Sequence, residues 1–125
     1  MSQNRPSVGD LLIAVQKFIT ECIPVLEGQA RYHALSSAYL LGICERELRL
    51  GPDYDRAEAK TLSQFLGQAG TNAALRDALC AQIRAGTHDA AWQGLVDMVL
   101  AQIANDVRIV KPDHLAPEHR GDGAP

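Results

Sequence analysis

Apolar residues recur along this chain at spacings of three and four and almost nowhere alternate with polar ones. That is the period of helices with one covered face, not of strands. Val8, Leu11, Leu12, Val15, Phe18, Ile19, Cys22 and Ile23 fall on one side of a first predicted helix. Ser7 is a good N-cap for it, and Asp10 stands three residues on, as in a capping box. Pro24 lacks an amide hydrogen and should kink or end it, with Gly28 closing the segment. A second helix is predicted from about Ala30 to Leu50, with Tyr32, Leu35, Tyr39, Ile43 and Leu50 on one face. Ala38, Leu41 and Leu48 widen that face until the helix is apolar around much of its girth, which predicts a central, covered position. Gly51-Pro52 reads as its end.

Three further helices follow by the same logic. Asp55 to Gln68 carries Ala59, Leu62, Phe65 and Leu66 inward; Asn72 caps a helix with Leu75, Leu79 and Ile83 that ends at Gly86. The last begins near Asp89 and aligns Trp92, Val96, Val99, Ile103 and Val107 before Lys111-Pro112 stops it. Trp92 is therefore expected to point inward. Short connections favour antiparallel neighbours. The expected fold is all-α: a single-domain bundle of about five helices, mostly up-and-down, over residues 5–115. Residues 116–125 are polar and rich in Gly and Pro, so they are expected to form a disordered tail.

Composition narrows the functional classes. The 125 residues are 46% hydrophobic and 22% charged, which suits one folded domain. Twelve basic against fifteen acidic residues give a net charge of −3, a poor match to a phosphate backbone, so no nucleic acid is expected as a partner. The longest apolar run, Ala38 to Cys44, falls far short of the ~20 residues of a membrane span, so no membrane is expected either. Cys22, Cys44 and Cys80 are odd in number, widely spaced and without zinc-ligand neighbours. They read as small core residues of a protein in the reducing cytoplasm.

The chain offers little self-contained chemistry. Neither a G-x-x-x-x-G-K loop nor a G-x-G-x-x-G turn occurs, and the four His lack metal-pair spacing. No catalytic residue, cofactor or metal site is therefore expected. Gly67 and Gly70 before a helix start could in principle bind an anion, but an ordinary inter-helix turn with an Asn cap is the better explanation. The densest polar group lies on the second helix, where Arg31, His33 and Arg46 sit on an otherwise apolar element. Arg46 lies beside the apolar stripe, where an unpaired guanidinium would be costly. Either it ties helices together, through Glu21, Asp97 or Asp106, or it contacts a partner or anionic ligand. The same two readings hold for His33.

Several of these residues resemble a small bacterial helical domain family of uncharacterised function. The likeness runs through Arg5-Pro6, Leu11-Leu12, Val15, Phe18, Ile23-Pro24 and Gly28, then Arg31, His33, Ala38 and Leu41. It continues in Glu45-Arg46-Glu47-Leu48, Gly51, Leu62, Leu66-Gly67, Leu75, Leu79 and Ile83-Arg84-Ala85-Gly86, covering about residues 5–115. Where the family ends its last helix with Asn-Pro, this chain has Asn105-Asp106 and reaches Pro112 only later. The family resembles the small protein encoded beside aminoglycoside-phosphotransferase-like kinases and acyl-CoA dehydrogenases. That resemblance implies a non-catalytic accessory subunit of a 4-hydroxyacyl-CoA kinase of levulinate-type catabolism, with phosphoryl-transfer chemistry left to the kinase. The alternative is a stand-alone homodimeric helical scaffold.

Overall fold

A computed structural model describes residues 6–120. Arg5 and residues 121–125 of the expected tail lie outside them. The described residues contain no strand, so the all-α class stands, with four α-helices: α1 (Val8–Cys22), α2 (Gly28–Leu66), α3 (Asn72–Arg84) and α4 (Trp92–Val110). Short 3-10 turns follow α1, precede α4, and form Pro112–His114 and Pro117–His119.

The count drops from five to four because Gly51-Pro52 does not end a helix. Pro52 lies inside α2. Proline normally drives the preceding residue out of the helical region, by clashing with its Cβ and amide. Gly51 has no Cβ, so that clash is largely removed. Residue 51 is also buried, and a Cβ there would come within 2.8 Å of Glu47 Oε1. Ion pairs on both sides support the helix: Arg49 with Glu45 at 2.9 Å, and Arg56 with Asp53.

The chain falls into two compact units that divide between Gly51 and Pro52. In the first, α1 begins as its sequence requires. Ser7 Oγ accepts from the Asp10 amide at 3.1 Å, and Asp10 Oδ2 accepts from the Ser7 amide at 3.0 Å. Pro24 sits in the 3-10 turn that ends it, and Gly28, at φ +58°, opens α2. Gln16 of α1 donates from Nε2 to the Ala38 carbonyl of α2 at 2.8 Å. Gly42, one turn further along α2, is buried there; a Cβ would stand 3.0 Å from that same Nε2.

In the second unit, Leu62, Leu75 and Leu79 form the core, with Phe65, Leu66, Leu95 and Met98 packed against it. Leu75 is fully buried. Gly67, at φ +67°, takes the chain out of α2, and Gly86, at φ +78°, turns it after α3. Thr71, not Asn72, caps α3: its Oγ1 accepts from the Ala74 amide at 3.1 Å. The helix start shifts by one residue because the Asn72 side chain has other partners, Asp55 and Glu58 of α2. After α4, Arg108 donates to Asn105 Oδ1 and to the His119 carbonyl, both at 2.5 Å, and Leu115 is buried.

Two burial expectations are corrected. Trp92 is 59% exposed and Ile103 is 51% exposed. Leu95 and Met98, which pack on the core, lie about 110° around the helix from the Trp92–Val107 stripe at 100° per residue, and the buried residues Ala104 and Ile109 lie on opposite sides of that stripe. The cysteines are not core residues either: all three are free thiols, Cys44 and Cys80 exposed and Cys22 half-buried.

These positions differ enough in packing to be told apart by stability. In urea denaturation, Leu75→Ala should cost ~3–4 kcal/mol, and Trp92→Ala under ~1 kcal/mol. Equal losses at the two positions would mean that Trp92 is packed after all.

Candidate functional site

Arg31, His33 and Arg46 all lie on α2 but do not converge. At 1.5 Å per residue, Arg46 stands roughly 20 Å along the axis from the other two. Arg31 and His33 are exposed near the start of α2, and His33 makes an edge contact with Tyr32, ring centroids 5.9 Å apart. Arg46 is half-buried, and its guanidinium lies back along Gly42, where a Cβ would stand 3.2 Å from Nη1. The missing side chain at Gly42 thus makes room for both Gln16 and Arg46 in the first unit.

The first unit also carries exposed apolar residues. α1 has no buried residue. Val8, Leu11, Val15 and Phe18 are each about half to two-thirds exposed, at spacings of three, four and three. On α2, Tyr32, Leu35 and Tyr39 repeat the spacing and are likewise open. The helix expected at the centre of a bundle therefore shows its aromatic stripe uncovered. Stripes of this spacing are the seams by which helices pack on other helices, and uncovered apolar patches of this kind mark interaction surfaces.

The second unit holds a different feature, which sequence reasoning missed. The Glu58 side chain is 3% exposed. Arg76 of α3 donates to both its oxygens, from Nε to Oε1 and from Nη2 to Oε2, the latter at 2.5 Å. Asn72 Nδ2 adds a longer contact to Oε2 at 3.5 Å. The Arg76 side chain is 56% exposed. Its pKa is raised, first by the hydrogen bonds to Glu58 against the opposing effect of desolvation, then by the charges of Glu58, Asp106 and Asp55. A signal for the pair was present in the sequence: Glu58 stands four residues before Leu62, and Arg76 three before Leu79. A carboxylate on an inward stripe calls for a cation opposite it.

Beside this pair an open, mostly apolar cleft of about 220 Å³ runs between α2 and α4, floored by Leu62 and Leu79. Ala57 and Thr61 form one wall, and Met98, Ala101 and Gln102 the other.

Arg31, His33, Arg46, Glu58, Arg76 and the whole cleft lie within residues 24–114, which match a family of domains of unknown function (DUF6285). The chain belongs to this family. No curated protein and no solved structure matches it. Within the DUF6285 chain, the match begins at Pro24, so the α1 stripe lies before the matched region and the α2 stripe inside it. Among the described residues of this DUF6285 chain, no cluster of three or more His, Cys, Asp or Glu could hold a metal ion. No helix among them is long and apolar enough to cross a membrane.

The Glu58–Arg76 pair yields a direct test. Removing the cation strands a buried carboxylate, whereas replacing both groups by apolar ones need not destabilise. Arg76→Met should lower stability by ~2–4 kcal/mol, and adding Glu58→Met should recover much of that loss. Losses that simply add in the double variant, read by denaturant unfolding, would show that the two groups do not act as a pair.

Proposed function

We propose that the chain is a non-catalytic accessory subunit that binds and supports an aminoglycoside-phosphotransferase-like kinase acting on hydroxyacyl-CoA substrates. The kinase and its substrate class rest on the family resemblance. The observation that carries the binding role is the pair of uncovered apolar stripes in the first unit. Val8, Leu11, Val15 and Phe18 of α1, with Tyr32, Leu35 and Tyr39 of α2, present large apolar side chains to solvent. Exposing such stripes is unfavourable for an isolated chain, and burying them against a partner recovers roughly 25 cal/mol for each Å² of apolar surface covered. Arg31 and His33, exposed at the start of α2 beside Tyr32, would supply the polar edge of the contact.

A second reading is favoured by the symmetry of the α1 stripe. Its spacing of three, four and three is the same in both directions. Two antiparallel copies can therefore set Val8 against Phe18 and Leu11 against Val15 of the second copy. That arrangement is the homodimeric scaffold.

Co-expression with an aminoglycoside-phosphotransferase-like kinase, followed by size exclusion with light scattering, separates the readings. The accessory-subunit reading predicts one co-eluting complex and kinase turnover that rises when the chain is added. Phe18→Glu, at a position 66% exposed, should leave the melting temperature of the isolated chain nearly unchanged and weaken the complex at least about tenfold. A stable dimer of the isolated chain that Phe18→Glu splits, with no binding to the kinase, supports the scaffold instead. Separate elution of a monomer at micromolar concentrations of both proteins contradicts both.

A further inference from the structure

The cleft in the second unit is not used by the proposed interface, and its two ends differ in chemistry. At one end Leu62, Leu79, Met98 and Val99 offer hydrocarbon. The volume of about 220 Å³ exceeds the ~150 Å³ of an engineered apolar cavity that holds benzene. It lies below the roughly 300–1,000 Å³ of sites for drug-sized molecules, so a compact molecule of a few carbons suits it. The other end is polar and is lined by Glu58, Arg76 and Asn105. His88, four residues before α4, lies against Phe65 with ring centroids 4.8 Å apart. α4 therefore starts near the end of α2, and Asn105, well along α4, reaches the level of Glu58.

Hydrogen-bonding capacity at this end is one-sided. Both Glu58 oxygens already accept from Arg76. Asn105 Oδ1 accepts from Arg108 Nη1 at 2.5 Å. Arginine only donates, so the amide oxygen of Asn105 faces it and the Nδ2 hydrogens are left over. Arg76 engages Glu58 through Nε and Nη2, and its Nη1 makes no hydrogen bond among the described residues. The acceptors are taken and donors remain. Thr61 and Gln102, midway along the cleft, can donate or accept and so set no preference. Charge narrows the class further. Glu58 and Arg76 neutralise each other, so an incoming ion would give up water without gaining an unpaired counter-charge.

We infer that this cleft binds a short, uncharged aliphatic carbonyl compound, a ketone, ester or amide. Its chain lies against Leu62, Leu79 and Met98, and its oxygen accepts from Arg76 Nη1 and Asn105 Nδ2. The inference is independent of the kinase reading, because it concerns the other unit and needs no second protein.

The test is a two-dimensional amide NMR titration of the full chain with 2-hexanone, n-hexanoate and n-hexylammonium in parallel. Each probe has six carbons, and the head is a neutral acceptor, an anion or a cation. The expected result is saturable shifts at Leu79, Met98, Gln102 and Asn105, with 2-hexanone at least about threefold tighter than either ion. Asn105→Asp then separates hydrogen bonding from simple apolar partition. It keeps the oxygen that Arg108 binds and replaces the donating NH2 by an acceptor. It should weaken 2-hexanone at least about threefold. The ranking of the three probes on the unaltered chain stands whether or not that variant folds. An ion binding as tightly as 2-hexanone, or shifts that avoid the cleft, would overturn the inference. So would a folded Asn105→Asp protein that binds 2-hexanone as tightly as the unaltered chain.

Discussion

The second unit is organised around a carboxylate that cannot stay where it is alone. Glu58 lies on the same stripe of α2 as Leu62, so the packing that buries Leu62 buries the charge as well. A cation brought in from another helix holds it there: α3 supplies Arg76 from the turn between Leu75 and Leu79. One approach of α3 thus satisfies both needs, placing Leu75 in the core and the guanidinium on the acid. The pair is asymmetric, with a buried anion and a half-exposed cation. It therefore fixes the register of two helices while leaving one side of the guanidinium at the edge of the cleft. Asn72 contributes to the same point, which explains why capping of α3 passes to Thr71.

The first unit is built on different terms. A side-chain hydrogen bond ties α1 to α2, from Gln16 to the Ala38 carbonyl, made where Gly42 leaves room for the Gln16 side chain. No α1 residue is buried. The apolar stripes of α1 and of the start of α2 are left for something else to cover, and this division of labour supports a binding role. The second unit has a leucine core and a buried charge pair, while α1 of the first buries none of its apolar residues.

Much of the helical layout was legible because it is local. The capping box at Ser7 and Asp10, the stop at Pro24, the left-handed glycine at 86 and the break at Lys111-Pro112 each depend on a few adjacent residues. Gly51-Pro52 carries the usual stop signal, a C-cap glycine followed by proline, but the glycine that marks many helix ends is also the residue that best tolerates a following proline within a helix. The inward face of α4 was misread because that helix carries apolar residues on two faces. Periodicity alone cannot choose between Val96, Val99 and Ile103 on one and Leu95 and Met98 on the other. The choice is made by what packs opposite, a non-local fact. Glu58 was missed for the same reason, since its partner lies eighteen residues away on another helix. Arg31, His33 and Arg46 were legible as unusual cations on an apolar helix, but not as one site, because their spacing along α2 keeps Arg46 apart from the other two.

The central claim is that α1 in the first unit keeps its apolar stripe uncovered, while the second unit is held by a leucine core and a buried charge pair. Amide hydrogen exchange of the full chain, followed residue by residue, tests it most directly, because protection reports how firmly each helix is held. The predicted result is slowest exchange in α3 and in α2 around Leu62, with α1 markedly faster in the isolated chain and slowed when the partner binds. Protection of α1 equal to that of α3 in the isolated chain would contradict the account, since its apolar stripe would then already be covered.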